Sequence, residues 1–366
     1  MSNDLLYQIA LTLVPNIGDV HAKLLINIYG DAESVFKAKR KDLEFIEGIG
    51  TIRANSIKAF QDFDQCESEL NFIAQYGISP IFISDAEYPQ RLLNCYDCPS
   101  LLYYRGNTNL NTAKIISIVG TRNHSEYGKN SCEKFLDDLK GENILIVSGM
   151  AYGIDTIAHK GALKNSLDTV GVLAHGLDMM YPSQNKSLAK QMLEQGGLLT
   201  EFRSRSKPDK QNFPKRNRIV AGISDAIVVI ESGKKGGSLI TAELANGYNK
   251  DVFALPGRTI DSKSEGCNYL IRQNKASLIT SAQDLLQVMN WTNTKRPAHK
   301  KQRELFIELT PAEKLMTDML QIDERLPIDA LYLKSGLNSS AVAAALLSLE
   351  MQGVLTCLPG KIYKLL

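Results

Sequence analysis

IISIVGTRNHSEYGKNSCEKFLDDLKGENILIVSGMAYGID, residues 115–155, decides the fold. An aliphatic run at 115–119 ends at Gly120, an amphipathic stretch occupies 127–139, and a second aliphatic run at 144–147 ends in Ser148-Gly149. Strands that are aliphatic on both faces need cover on both faces, which a strand, helix, strand order with glycine turns provides. The same alternation runs outward from Gly77 to about Asn290. It predicts further strands at 78–83, 169–173, 198–201, 226–230, 252–255 and 278–280, with helices at 154–163, 185–194, 238–247 and 282–288. The expected class is α/β, with a Rossmann-like, doubly wound, mostly parallel sheet.

Ahead of this core an internal repeat is visible. Pro15-Asn16-Ile17-Gly18 leads to Val20, Ala22 and Leu25, and Gly48-Ile49-Gly50 leads to Ile52, Ala54 and Ile57. Each copy reads as helix, glycine turn, helix with its aliphatics on a common core, so residues 1–65 resemble a tandem helix-hairpin-helix module. Such hairpins can offer backbone N–H groups to a phosphate, or serve packing and partner contacts. Residues 66–290 are the extended Rossmann-like domain, and the polar, basic stretch TNTKRPAHKKQR places a linker within 291–309. Beyond it, helices at 311–321, 328–336 and 339–352 and two short strands within 354–365 outline a winged helix over 310–366. The third of these helices carries no Arg or Lys, which suits a partner surface better than a major-groove reader.

Lys and Arg total 42 against 40 Asp and Glu, a net charge of +2, so any polyanion site must be a local patch. The first residues lack the pattern of a signal peptide, and no apolar run approaches the roughly 18 residues of a membrane helix. A cytoplasmic protein without a membrane segment is expected. Six cysteines are scattered; Cys95 and Cys98 form a C-x-x-C pair with no second pair or histidine cluster, and read as separate buried thiols.

Chemistry concentrates where strands end and helices begin, the ligand edge of an open α/β sheet. Gly120, Arg122 and Ser125 follow the strand at 115–119, and Ser148, Gly149 and Gly153 follow the next, with Asp155 expected as a helix cap. Gln211-Asn212-Phe213-Pro214-Lys215-Arg216-Asn217-Arg218, preceded by Arg203, Arg205, Lys207 and Lys210, sets an aromatic among cations. Arginine pairs with phosphate, and phenylalanine offers a face to an unpaired base or anchors in the core. Read as extended, this segment directs Arg216 and Arg218 to the same side. Lys234, Lys235, Gly237, Ser238 and Thr241 form another glycine-rich turn, and Pro256-Gly257-Arg258 with Arg272 closes the edge. Neither a P-loop nor a dinucleotide fingerprint is present, so no cofactor is expected.

VGTRNHSEYG, VSGMAYGID-x-x-AH, FPKRNRIVAG, GGSLITAELA, LPG and GCNYLIR, in this order, resemble the DNA-processing protein DprA (Smf) family over essentially the whole chain. The resemblance implies single-stranded-DNA binding in a basic groove, a homodimer formed through the Rossmann-like domain, and loading of the RecA recombinase in natural transformation. Gly120, Arg122, Ser125, Ser148, Gly149, Gly153, Phe213, Arg216, Asn217, Arg218, Gly237, Ser238 and Thr241 match the family pattern. Two positions depart from it: Tyr152 stands where an arginine is usual, and Gly236 replaces a serine.

The rival class is a nucleotide-processing enzyme, since Gly236, Gly237 and Glu243 partly match the loop of Rossmann-like phosphoribohydrolases. Leu239 and Ile240 put bulky groups where that loop needs glycine and threonine. Asp155, His159 and Glu231 read as structural rather than catalytic, and a non-enzymatic binding protein is expected.

Overall fold

The computed structural model describes residues 3–292, 309–358 and 360–365. The linker expected at 291–309 falls, apart from its ends, outside them. Two compact units are present, residues 1–292 and 293–366.

The first unit begins with helices α1 (Asn3–Leu13), α2 (Asp19–Tyr29), α3 (Ala32–Lys37), α4 (Arg40–Glu44), α5 (Gly50–Lys58) and α6 (Phe63–Tyr76). In the two turns of the repeat, Asn16 (φ 66°) takes the left-handed position that Gly48 (φ 87°) holds in the second copy. Ala22, Leu25, Ala54 and Ile57 are buried as expected, but Val20 and Ile52 are exposed: each follows its turn on the outer face of the helix. The module and the sheet share one continuous core, from Ile9 and Leu25 through Leu102 to Val147 and Val229. α6 therefore runs across the boundary expected at residue 65.

The sheet follows as β1 (Ser79–Phe82), α7 (Gln90–Leu93), β2 (Leu101–Gly106), β3 (Ile115–Val119), α8 (Glu126–Asp138), β4 (Leu145–Ser148) and α9 (Ile154–Lys164). It continues as β5 (Thr169–Val172), α10 (Lys186–Met192), β6 (Gly196–Thr200), α11 (Asn212–Gly222), β7 (Ala226–Val229) and α12 (Gly237–Gly247). Its last elements are β8 (Asp251–Ala254), α13 (Glu265–Arg272), β9 (Ser277–Leu278) and α14 (Ala282–Val288). The order across the sheet is β1-β2-β6-β5-β4-β3-β7-β8-β9. β6 to β9 run parallel, while β2 joins antiparallel to both β1 and β6. β2 is a strand that the alternation of aliphatic runs and helices did not announce.

Chain order advances from β3 to β6 in one direction and resumes from β7 on the other side of β3. The gap between β3 and β7 is thus the topological switch point, where loops leave on opposite faces and a crevice opens above the strand ends. A second cluster, with Ile116, Ile146, Ala158 and Leu285, covers the other face of the sheet.

The second unit is a winged helix: α15 (Pro311–Ile322), β10 (Leu326–Pro327), α16 (Ile328–Ser335), α17 (Ser339–Met351), β11 (Leu355–Leu358) and β12 (Ile362–Leu365). Thr310 and Glu313 close a capping box on α15, with Pro311 at its first position. Met316, Leu331, Leu346 and Leu355 fill its own core.

Candidate nucleic-acid interface

α11 decides how the basic cluster is displayed. The segment is helical from Asn212, not extended, with Pro214 tolerated in its first turn. In a helix, residues two apart point nearly opposite ways, whereas i, i+3, i+4 and i+7 share a face. Phe213, Arg216, Asn217 and Val220 accordingly line one crevice, while Lys215 and Arg218 border a separate hollow beside Asp19 and Glu201. The shared side expected for Arg216 and Arg218 is corrected by this geometry.

The crevice lies at the switch point and measures about 520 Å³. Its walls are the loops after β3 (Gly120, Thr121, Arg122) and β4 (Gly149, Ala151), the face of α11 with Lys210 before it, and the start of α12. There Lys235, Gly236, Gly237 and Ser238 present the positive end of an eleven-residue helix. Arg122, Lys210 and Lys235 are exposed. Phe213 is half-buried, with the Arg122 guanidinium 5.1 Å from its ring centre and the Tyr181 ring at 6.2 Å. Tyr181 was missed in the sequence because it belongs to an irregular loop with no periodicity to mark it.

Arg216 forms the floor rather than the rim. It is buried and donates to the carbonyls of Gly149 and, at 2.6 Å, Val172. A side chain at position 149 would meet this guanidinium at 2.6 Å, which explains the glycine. Desolvation lowers the Arg216 pKa to about 10, with Asp155 opposing the shift. Asp155 is an acid lining the crevice, and its buried carboxyl is pushed up in spite of Arg216. Gly153, at φ 80°, caps α9 in place of Asp155; Asp155 instead accepts from the Ala151 N–H at 3.3 Å.

Several expected contacts are committed elsewhere. Ser125 donates to Glu231 through its backbone at 2.8 Å and through its hydroxyl, and caps α8. Ser148 is fully buried and donates to the Ile118 carbonyl at 2.6 Å. Arg218 is buried in an ion-pair cluster with Asp19 (2.9 Å) and Glu201. Lys215 and Lys234 are exposed but line no part of the crevice, and Thr241 borders it while bonding the Gly237 carbonyl at 3.3 Å. Arg203 and Arg205 line a different hollow beside α6. Ser238 donates to the Ser232 hydroxyl at 2.8 Å.

Of the acid–base candidates, Asp155 lines the crevice, whereas Glu243, His159 and Glu231 do not. Glu243 is exposed and paired with Lys275 at 3.0 Å, outside the crevice, and Ile240, 46% exposed, lines it. His159 is fully buried. Its Nδ1 meets the Thr169 hydroxyl at 2.7 Å, and that hydroxyl also lies 3.0 Å from the Ile146 carbonyl. Cys95 and Cys98 are buried free thiols, with Cys95 pushed up to about 11 by burial. Among the described residues no group of three or more His, Cys, Asp or Glu could hold a metal ion, and no helix is long and apolar enough to cross a membrane.

Burial lowers the His159 pKa to about 3. A folded value below the unfolded value of about 6.5 means that the associated stability is present above that pH and is lost as pH falls toward 3. One such proton changes stability by at most about 1.4 kcal/mol per pH unit. The buried carboxyls of Asp155 and Glu201, pushed upward, act in the opposite sense, so the variant must be compared with the parent. Urea denaturation at pH 7 and pH 5 should show a smaller acid loss in His159→Gln than in the parent. Identical losses in the two proteins would remove His159 from the explanation.

A family model for DNA recombination-mediator protein A matches residues 79–290, and one for the DprA winged helix domain matches residues 308–361. DNA processing protein DprA of Streptococcus pneumoniae is 43% identical over 204 residues, 56% of this chain and 72% of that protein. Protein Smf of Escherichia coli is 32% identical over 349 residues, 91% of each chain. The solved S. pneumoniae DprA structure aligns at a TM-score of 0.66 and 35% identity, covering 78% of this chain and 98% of that one. DNA processing protein A from Helicobacter pylori, solved for its single-stranded DNA binding mode, aligns at 0.54 and 30% identity, covering 60% and 98%. One model spans more than half of the sequence and the E. coli relative aligns nearly end to end, so the chain belongs to the DNA-processing protein DprA (Smf) family.

Proposed function

We propose that, within the DNA-processing role in recombination that goes with this family, the chain is a non-enzymatic, cytoplasmic single-stranded-DNA-binding protein. The observation that carries the reading is the crevice at the switch point. Three exposed cations and the start of α12 surround it, and a half-buried phenylalanine stands on its α11 wall. Arg122, Lys210, Lys235 and the N–H groups at Gly237 and Ser238 take phosphates, Asn217 offers a polar edge, and Phe213 takes the face of an unpaired base. Duplex DNA hides those faces in its stack, so the arrangement favours single strands.

Protection of incoming DNA, loading of RecA and homodimer formation through the Rossmann-like domain belong to this proposal on the family resemblance. The winged helix following the linker is assigned to a partner, since α17 bears no cation. The division into a helical module, an extended Rossmann-like domain ending at residue 290, a linker over 291–309 and a winged helix over 310–366 is part of the same proposal, with the first boundary moved off residue 65 because α6 crosses it.

Phe213→Ala should weaken single-strand binding by about 1–3 kcal/mol, the range for loss of one stacking platform. Duplex binding should change little, and so should the melting temperature. Equal losses on both substrates, or a collapse of thermal stability, would identify Phe213 as a core anchor instead.

A further inference from the structure

We propose that a single strand held in the crevice continues past Tyr152 into a second groove between the first turns of α8 and α9. This rests on the reading above and extends it.

The second groove measures about 590 Å³ and is bordered by His124, Lys129, Tyr152, Thr156 and Lys160 near the ligand edge. Between it and the crevice lies only a notch of about 20 Å³, so a strand passing from one to the other would run over Tyr152 and not through an open channel. Tyr152 lines both this groove and the notch where Arg122, Tyr181 and Phe213 meet, and that notch shares Arg122, Gly149 and Arg216 with the crevice. The tight turn at Gly153 sets the start of α9 against the loop after β3: a Cβ there would lie 2.3 Å from the Thr121 carbonyl. That loop therefore borders both spaces.

The charges are graded along the groove. Thr156, Lys160 and Lys164 follow one another at i, i+4 and i+8 on α9, and Lys129, Glu133 and Asp137 do so on α8. Lys164 pairs with Asp137 at 3.1 Å, which closes the deep end with a neutral pair, and one turn nearer the mouth Glu133 stands level with Lys160. Lys160 is exposed and has no ion-pair partner among the described residues, while Lys129 stands 4.0 Å from Glu126 on the open surface. Lys129 and Thr156 thus face the mouth, Lys160 and Glu133 share the middle turn and a neutral pair closes the far end, so a polyanion entering from the crevice fits the upper half alone. Tyr152, 41% exposed and steadied by its hydroxyl on Gln184, offers a base platform between the two spaces where the family has a cation.

The test uses the full chain and oligothymidylates of about 4 and about 15 nucleotides, which bracket a short and a long site. Lys129→Ala/Lys160→Ala should bind the short strand like the parent. On the long strand it should bind about tenfold more weakly, with a salt slope flatter by about 0.7 for each lost contact. Tyr152→Ala should also weaken long-strand binding about tenfold, with an unchanged salt slope. Effects that do not depend on length, or no effect on either strand, overturn the second groove. A parent chain that binds neither strand overturns the crevice reading together with it.

Discussion

Arg218→Ala should lower the unfolding free energy by about 3 kcal/mol while leaving single-strand affinity within about twofold of the parent. The side chain sits between Asp19 of α2 and Glu201 after β6, so it ties the helical module to the sheet. Breaking a buried pair from one side costs about 3–5 kcal/mol, because the other charge stays buried without compensation. Glu201, whose side chain is 12% exposed, carries most of that cost; Asp19, at 30%, recovers part of its hydration and also accepts from Ser100. The loss therefore falls at the lower end of the range. Burial already pushes the Glu201 carboxyl upward against the pull of Arg218. Without the arginine it protonates more readily, so the penalty should shrink as pH is lowered. Urea denaturation at pH 7 and pH 5 with an anisotropy titration checks all three points. A stable variant that had lost DNA binding would return Arg218 to the crevice as a phosphate contact.

The sheet was legible because strands buried on both faces leave unbroken aliphatic runs, as at Ile115–Val119, and each run ends at a glycine or polar turn. β2 escaped notice because LLYYRG, with two tyrosines and an arginine, breaks that pattern, and because an antiparallel edge needs no crossover helix to mark it. The helix at Asn212–Gly222 was hidden by its composition. Its Asn, Pro, Lys and Arg residues resemble a loop, and only the spacing of Phe213, Arg216, Asn217 and Val220 betrays the face turned to the crevice.

Motif reading found the walls of the crevice but not the commitments of its side chains. Ser125 and Ser148 stand beside the right loops, yet a buried carboxylate and a backbone carbonyl already use their hydroxyls. Arg216 and Arg218 look alike in sequence; helical geometry makes one a floor and the other a tether. Exposure separates the groups free to meet a phosphate, Arg122, Lys210 and Lys235, from those that hold the fold.

Those three residues carry the second large effect. In Arg122→Ala/Lys210→Ala/Lys235→Ala the fold should be unchanged, since all three side chains are exposed and none forms an ion pair among the described residues. Each charge-assisted contact contributes about 1.5–3 kcal/mol. Their joint loss should weaken single-strand binding by about a thousandfold or more at about 0.05 M salt. The effect should be similar for poly-dT and for a mixed sequence, because phosphates carry no sequence information.

The most direct measurement is the salt dependence of affinity for a fluorescent poly-dT strand, from about 0.05 to about 0.2 M, in the parent and this triple variant, with circular dichroism as the folding control. Three lost phosphate contacts should flatten the slope of log affinity against log salt by about 2, at about 0.7 per contact. An unchanged slope in a folded triple variant would contradict the account and move the DNA site away from the crevice between β3 and β7.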